Sequence, residues 1–344
     1  MDKKLLTDEV KTTAHELGYD LCGIMRADTI QEYITYLDDR IKNFPGSRHL
    51  YEDLYDLAYP RDKAEWAKSV IVCIRTYSRY NMPTEINKYI GKYYLFDRRL
   101  EYSREYAQDE SFEKFLSAMG MRTLKNGVSA RWAAVKAGLG TFGHNNFIYT
   151  RFGSWIWIDT WIVDMEMQYD EPSPRTVDCP PNCRRCVDAC PTKALSAPLM
   201  MDRGKCVAQL SYYSGEIYPN ELIPEPLREQ MGTWVYGCDI CQEVCPRNKS
   251  KWSAEGSFPG LDELVELVKL ENIVRMDEET FLDIIQPRFS YIGQDGLWIW
   301  KCNALQAMTN SGDIKYHECI REACTDENAN VREMAEWACK KLNI

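Results

Sequence analysis

Eight of the fourteen cysteines lie in two short runs and at one position between the runs. They are Cys179, Cys183, Cys186 and Cys190 in the first run, Cys206 between the runs, and Cys238, Cys241 and Cys245 in the second. The last cysteine of each run is followed by proline. Thiolates at such spacing bind iron–sulfur clusters or zinc, so the segment predicts a metal–thiolate centre.

The pattern favours two [4Fe–4S] clusters. In two-cluster ferredoxins, three closely spaced cysteines bind one cluster, and a fourth that precedes proline reaches the other. Paired Cys-x-x-Cys units could also hold two zinc ions, but zinc does not require the Cys-x-x-x-Cys-Pro ending that occurs here twice. We therefore predict a carrier of single electrons. The expected ligands are Cys179, Cys183, Cys186 and Cys245 for one cluster, and Cys190, Cys206, Cys238 and Cys241 for the other.

A glycine-rich stretch lies upstream of the cysteines. It reads Ala137-Gly138-Leu139-Gly140-Thr141-Phe142-Gly143-His144-Asn145-Asn146, and a Gly-Ser-Trp turn follows at Gly153, Ser154 and Trp155. Glycine lets the backbone adopt positive φ or approach a ligand closely. The stretch has neither the complete Gly-x-Gly-x-x-Gly context nor the lysine of a phosphate-binding loop. The residues alone therefore leave a plain turn and a binding loop equally open.

The elements that must position these residues are predicted from hydrophobic periodicity. Residues 1–165 are expected to form a mixed α/β domain. Its predicted helices span 5–17, 111–119 and 129–137, and its predicted strands span 69–74 and 155–163.

Two further domains are expected, which together predict an α+β fold. Residues 166–250 would form a ferredoxin-like two-cluster domain, and residues 251–344 a helical domain with helices over 261–270 and 278–285. The Asp-x-Asn-x-x-Val-Arg pattern at 326–332 is typical of the second helix of a HEAT-type pair. A packing cap and a partner surface are both open for this end of the chain.

The composition limits the classes of function. The chain has 344 residues and a formal net charge of −10, which argues against extensive coating of nucleic acid without excluding a local basic patch. The most apolar stretch, at 155–163, is far shorter than the roughly 20 residues that cross a bilayer. We expect a cytoplasmic protein without a membrane span. The six scattered cysteines are read as small buried side chains: Cys22, Cys73, Cys302, Cys319, Cys324 and Cys339.

Three stretches carry a family resemblance: the string at 133–140, the Gly-Ser-Trp turn at 153–155, and the second cysteine run at 236–246. Together they resemble the epoxyqueuosine reductase family, which is related to the corrinoid-dependent reductive dehalogenases. The resemblance implies a base-off cobalamin between the first domain and the cluster segment, with electrons passing from the clusters to cobalt. The cofactor contacts would come from Ala137, Gly138, Leu139, Gly140, Gly143, His144, Asn145, Gly153, Ser154 and Trp155.

The sequence departs from the family where a catalytic acid is expected. The tRNA-modifying members have an aspartate seven residues before an arginine that shortly precedes Ala-Gly-Leu-Gly. Arg131 matches that arginine, but Leu124 stands at the position of the aspartate. His144 stands where the family has a lysine and could titrate near neutral pH. The catalytic residues are therefore unknown, with Arg131 and His144 as candidates.

We expect a corrinoid-dependent iron–sulfur reductase whose substrate, a small molecule or a corrinoid protein, is unassigned. A ferredoxin or flavodoxin would supply its electrons. One alternative is epoxyqueuosine reduction in tRNA with a replacement proton donor, which the missing aspartate and the acidic charge balance disfavour. Another is a non-catalytic electron-transfer or cobalamin-carrier protein that serves a second corrinoid protein.

Overall fold

A four-stranded antiparallel sheet forms the centre of the first half of the chain. The structure, a computed structural model, describes residues 2–219 and 221–344. The sheet has the order β1-β2-β6-β3, and two small hairpins lie outside it. The strands are β1 (Leu21–Arg26), β2 (Ser69–Thr76), β3 (Thr123–Lys125), β4 (Thr141–Phe142), β5 (Ile148–Tyr149), β6 (Ile156–Val163), β7 (Leu195–Ala197) and β8 (Met200–Met201).

Helices cover both faces of this sheet. The apolar β2 is buried along its whole length. Its Val70 and Val72 face the core that includes α2 and α7, whereas Ile71 and Cys73 face the core that includes α1 and α6. This alternation is the period of two expected of a strand that is covered on both sides. The helices of this half are α1 (Lys3–Glu16), α2 (Gln31–Asn43), α3 (His49–Glu52), α4 (Pro60–Lys63), α5 (Lys92–Leu95), α6 (Arg104–Ala118) and α7 (Ala130–Lys136).

The cluster segment contains little regular structure. Short helices α8 and α11 pack against each other, and each carries cysteines or is flanked by them. The β7–β8 hairpin follows the first run. The helices are α8 (Arg185–Ala189), α9 (Val207–Ile217), α10 (Glu225–Gln230) and α11 (Ile240–Glu243).

The C-terminal helices share one core with the first half of the chain. Trp300 and Leu305 of the central helix α16 lie in the same buried cluster as Phe96, Trp157 and Tyr236. The division into residues 1–165, 166–250 and 251–344 stays a proposal. The helices are α12 (Leu261–Leu267), α13 (Leu270–Val274), α14 (Glu278–Thr280), α15 (Gln286–Arg288), α16 (Leu297–Ser311), α17 (His317–Ala323) and α18 (Ala329–Leu342), with a π-helical turn at Phe281–Ile285.

The α+β fold class predicted from the sequence is confirmed. All described strand pairs in the sheet of the first domain are antiparallel. The predicted mixed α/β domain is therefore an antiparallel sheet covered by helices. The helix predicted over 111–119 begins earlier, because the hydroxyl of Ser103 accepts from the Tyr106 N–H at 3.1 Å and caps α6. The helix predicted over 261–270 is interrupted at Lys269, whose backbone is extended.

Two other expectations concern the C-terminal part. The helix predicted over 278–285 becomes α14 followed by the π-helical turn. The second helix of the HEAT-type pair is α18, and the side chain of Asn328 caps it by accepting from Asn330 N–H at 2.9 Å. No helix within the described residues is long and apolar enough to span a membrane.

Candidate active site at the cluster segment

The eight clustered cysteines are enclosed by the protein to different degrees. Cys186 and Cys190 are buried, and the other six are half-buried. Cys186 and Cys190 share a small apolar core with Val187 and Leu195, and Cys206 and Cys241 pack against it. The structure thus brings thiols from both runs and from the position between them into one region.

The thiols lie in two neighbourhoods. Burial, together with the nearby thiols of Cys179 and Cys245, raises the pKa of Cys186 to about 11. Burial also raises the pKa of Cys238 well above its usual value, and Cys206 and Cys190 add to that rise. A buried thiol is deprotonated when a metal binds it, so these side chains suit metal coordination. No three His, Cys, Asp or Glu side chains within residues 2–219 and 221–344 converge on one single-ion site.

The glycine loop folds tightly on its own chain. Gly138 has φ +71, and a Cβ there would lie 2.5 Å from the main-chain oxygen of Glu171. A Cβ on Gly140 would lie 2.8 Å from the main-chain oxygen of Tyr149. At Gly143 it would lie 2.5 Å from the ring of the same tyrosine. Gly140 and Gly143 therefore serve the packing of the β4–β5 hairpin, and Gly138 allows close approach to the main chain at Glu171. Cofactor contacts at these positions stay a prediction.

The same loop rests on both cysteine runs. Nδ1 of His144 donates to the main-chain oxygen of Cys183 at 2.9 Å. Nδ2 of Asn145 donates to the main-chain oxygen of Cys241 at 2.8 Å. The loop is thus attached to each run through one side chain.

The Gly-Ser-Trp turn is attached to the second run. Gly153 has φ +85, and a Cβ there would lie 2.7 Å from Oδ1 of Asn248. That oxygen accepts from the Ser154 N–H at 2.8 Å. Nε2 of Gln242, in α11, donates to Oγ of Ser154 at 2.8 Å. Trp155 immediately precedes β6. The ammonium group of Lys92 lies 5.2 Å from the centroid of the Trp155 ring.

Two buried donors beside the loop lack a hydrogen-bond partner among the residues that the structure describes. They are Nδ2 of Asn146 and Nε1 of Trp132, which is in α7. Oδ1 of Asn146 accepts from Arg40 at 2.6 Å, and its main-chain oxygen accepts from Arg131 at 3.0 Å. Unpaired buried donors are costly and commonly mark a ligand position. Sequence reasoning missed both residues, although Asn146 ends the glycine stretch.

A family profile described as a 4Fe-4S double cluster binding domain matches residues 179–248. The epoxyqueuosine reductase of Cyclobacterium marinum is 34% identical over 269 residues, which cover 73% of this chain and 82% of the relative. The chain belongs to the epoxyqueuosine reductase family.

Solved structures of this family share the fold. An epoxyqueuosine reductase from Bacillus subtilis superposes with a TM-score of 0.78 and 25% identity, over 98% of this chain and 90% of the other. An epoxyqueuosine reductase solved with an epoxyqueuosine-modified tRNA stem loop gives a TM-score of 0.77 at 24% identity, over 99% and 91%.

Membership in the epoxyqueuosine reductase family makes this chain an oxidoreductase with a double [4Fe–4S] domain. The preferred expectation, a corrinoid reductase with an unassigned substrate, is wrong, because the relatives point to epoxyqueuosine reduction. The net charge and the missing aspartate were taken to disfavour epoxyqueuosine reduction, and neither excludes it. A charge of −10 is a sum over the whole chain and does not describe one surface. With Leu124 at the position of the aspartate, one acid side chain is missing, but this difference does not indicate another reaction.

This member of the epoxyqueuosine reductase family has no carboxylate at position 124. Leu124 lies in β3 opposite Ile162 of β6 and is half-buried. Its neighbour Lys125 points to the other side of the sheet, where it binds Asp109 at 2.9 Å. The carboxylates that Lys125 binds, Asp109 and Glu113, therefore lie on the side of the sheet that Leu124 does not face.

Sequence reasoning missed a charged network, which joins Arg75, Arg98, Asp109 and Asp159. Arg75 binds Asp109 at 2.7 Å and Asp159 at 3.0 Å, and Arg98 also binds Asp159. Burial alone would raise the pKa of Asp159, but the guanidinium groups of Arg98 and Arg75 outweigh it and hold that pKa below its usual value. The available signal was a single acid within the apolar strand at 155–163.

Proposed function

We propose that this chain reduces epoxyqueuosine in tRNA. The observation that carries the proposal is 34% identity to an epoxyqueuosine reductase over 82% of that relative. A protein of the same fold was solved with an epoxyqueuosine-modified tRNA stem loop, which supports RNA as the substrate. Reduction of an epoxide to an alkene consumes two electrons and two protons and releases the oxygen as water.

The cysteine segment would supply those electrons one at a time. We assign Cys179, Cys183, Cys186 and Cys245 to one cluster, and Cys190, Cys206, Cys238 and Cys241 to the other. The thiols of Cys179 and Cys245 raise the pKa of Cys186, which supports the first group. Those of Cys206 and Cys190 raise the pKa of Cys238, which supports the second. A ferredoxin or flavodoxin would be the external electron donor.

Cobalamin is proposed as the second cofactor, bound beside the loop and the Gly-Ser-Trp turn. When bound, it supplies a cobalt centre that takes part in one-electron chemistry and C–O bond cleavage. Residues 137–145 and 153–155 would hold it, and the unpaired donors of Asn146 and Trp132 give this region free hydrogen-bonding capacity. That capacity fits a large polar cofactor.

The chain's own residues would orient the substrate and supply protons. Arg131 donates to the main-chain oxygen of Asn146 at 3.0 Å, so we propose that it orients a ligand or the loop and does not donate the proton. His144 uses Nδ1 to hold the main chain of Cys183, which is a positioning role. The proton therefore has to come from a group other than the side chain at position 124.

Complementation tests the proposed function. A strain that lacks its epoxyqueuosine reductase would express this chain, and mass spectrometry of its tRNA nucleosides would quantify queuosine. We expect queuosine with the wild-type chain and with Cys324→Ser, which alters a half-buried cysteine outside the cluster segment. We expect epoxyqueuosine to persist with Cys190→Ser. Persistence of epoxyqueuosine with the well-expressed wild-type chain would contradict the proposal.

A further inference from the structure

A cleft of about 140 Å³ lies where four parts of the chain meet. Its walls come from the segment 93–99, from β6, from the entrance to the second cysteine run, and from the segment 288–291. The lining residues that matter below are Tyr93, Arg98, Arg99, Trp157, Arg288 and Tyr291. None of them belongs to the predicted cluster or cobalamin ligands.

The size of the cleft limits what it can bind. It is several times larger than the roughly 30 Å³ that one water occupies. It is smaller than the roughly 300 Å³ at which pockets for whole small molecules begin. This volume suits a single chemical group of a larger ligand. The aromatic side chains of the cleft would contact that group.

The cleft is positively charged, although the chain is acidic overall. Arg98, Arg99 and Arg288 line it, against one carboxylate, Asp97. Arg99 is fully engaged within the protein: it binds Asp97 at 2.8 and 3.0 Å and Ser290 at 3.0 Å. Arg288 donates to the hydroxyl of Tyr102 at 3.0 Å. Both residues hold the walls together and keep their charge beside the cleft.

Arg98 differs, because one edge of its guanidinium is unused. Its Nη1 binds Asp159 and lies 3.5 Å from Oδ2 of Asp109. Nε and Nη2 make no hydrogen bond with any described residue. Both are accessible, since the only buried guanidinium nitrogen without a partner in the described chain is Nε of Arg75. Nε and Nη2 together present two parallel N–H donors, the arrangement that binds phosphate or carboxylate in a bidentate manner.

The buried network fixes this orientation. Asp159 is fully buried and is also bound by Arg75 at 3.0 Å, so it cannot follow Arg98 into the cleft. The side chain of Arg98 is only 17% exposed. Its free edge is therefore held in one position before any ligand arrives, which lowers the entropic cost of binding.

Two tyrosines line the same cleft as Arg98. Tyr93 and Tyr291 are 41% and 46% exposed, and neither hydroxyl makes a hydrogen bond within the described chain. Both side chains line the cleft, so their hydroxyls can donate to an oxyanion, while Trp157 supplies an apolar wall.

We propose that this cleft binds a phosphodiester group of the RNA substrate, with its two non-bridging oxygens on Nε and Nη2 of Arg98. The inference rests on the proposed function and adds a substrate-binding residue to it. Phosphate is favoured over a carboxylate because the cleft accepts one group of a larger ligand, and because a chain of charge −10 needs a local cationic site to hold RNA.

Fluorescence anisotropy with a labelled, unmodified anticodon stem loop tests the proposal, at salt concentrations from about 50 to 200 mM. Reconstituted full-length protein is compared with Arg98→Gln, Arg98→Lys and the control Arg61→Gln, which removes an exposed arginine paired with Asp28. We expect Arg98→Gln to bind about tenfold more weakly and to reduce the salt slope by about 1. Arg98→Lys should be intermediate, and the control should match wild type.

The outcomes separate this inference from the proposed function. Wild-type affinity and salt slope in Arg98→Gln, with unchanged melting, would overturn the inference even if the protein reduces epoxyqueuosine. Weaker RNA binding in Arg98→Gln with no turnover by wild type would leave the cleft assigned and the proposed function wrong. If Arg98→Gln unfolds, the double variant Tyr93→Phe, Tyr291→Phe decides, with a several-fold loss expected and no loss contradicting the proposal. Binding of benzoate but not RNA at Arg98 would assign a carboxylate instead and overturn it.

Discussion

The amide of Gln242 donates to the hydroxyl of Ser154 at 2.8 Å and to its main-chain oxygen at 3.1 Å. Gln242 lies between Cys241 and Cys245, and Ser154 lies in the turn that leads into β6. Both side chains are buried. This pair therefore joins the cluster segment to the central sheet at the proposed cofactor site.

Gln242→Ala is expected to destabilise the protein by about 1–3 kcal/mol, because it removes a buried donor from the main-chain oxygen of Ser154, whereas the Ser154 hydroxyl still accepts from Asn248 Nδ2 at 2.9 Å. Urea unfolding of the reconstituted protein measures the change. The matched control is Gln31→Ala at an exposed position in α2, which should stay within about 0.5 kcal/mol of wild type. Equal stability of the two variants would contradict the importance of this contact.

Three glycine-to-alanine variants separate backbone strain from steric overlap. At Gly138 the backbone has a positive φ, and the new Cβ would lie 2.5 Å from a main-chain oxygen. At Gly232 φ is also positive, but the space around the new Cβ is open. At Gly46 there is neither a positive φ nor a close contact. We expect losses of more than about 2 kcal/mol, about 1 kcal/mol and no loss, respectively. Thermal unfolding gives the order. A Gly138→Ala variant as stable as Gly232→Ala would show that the loop is looser than described.

Asp159→Asn tests the buried network and its pH dependence. Removal of a buried charge partner should cost about 3 kcal/mol at pH 7. The folded-state pKa of Asp159 lies below its usual value, so its stabilising contribution is present above about pH 3.9 and is lost as the pH falls through the folded-state pKa. Wild type should therefore lose more stability on acidification than Asp159→Asn. Denaturant unfolding from pH 7 to pH 3 measures both, with exposed Asp28→Asn as the control.

Iron content tests the assignment of the cysteines. Cys206→Ser should reduce iron from about eight to about four per chain, because it removes one ligand of one cluster. Cys319→Ser, outside the segment and buried among the C-terminal helices, should retain all of the iron. Colorimetric iron analysis and visible absorbance provide the readout. Full iron retention in Cys206→Ser would remove it from the ligand set.

Contacts local in sequence were more predictable than contacts between distant segments. Spacing and periodicity within short stretches were enough to predict the cysteine runs, the helix at 129–137 and the strand at 155–163. Gln242 and Ser154 are 88 residues apart, and Arg98 and Asp159 are 61 apart. No periodicity specifies such pairs, since they arise when separate segments fold against each other. The cleft lined by Arg98, Arg99 and Arg288 formed in the same way, and the net charge of the whole chain does not indicate it.

The most direct test of the central claim is in vitro turnover. Protein reconstituted with iron, sulfide and cobalamin would be reduced chemically and incubated anaerobically with epoxyqueuosine-containing tRNA, and the nucleosides would be quantified by liquid chromatography and mass spectrometry. The account predicts conversion of epoxyqueuosine to queuosine, which is absent with Cys190→Ser. Unchanged epoxyqueuosine with protein that contains both clusters and binds cobalamin would contradict it.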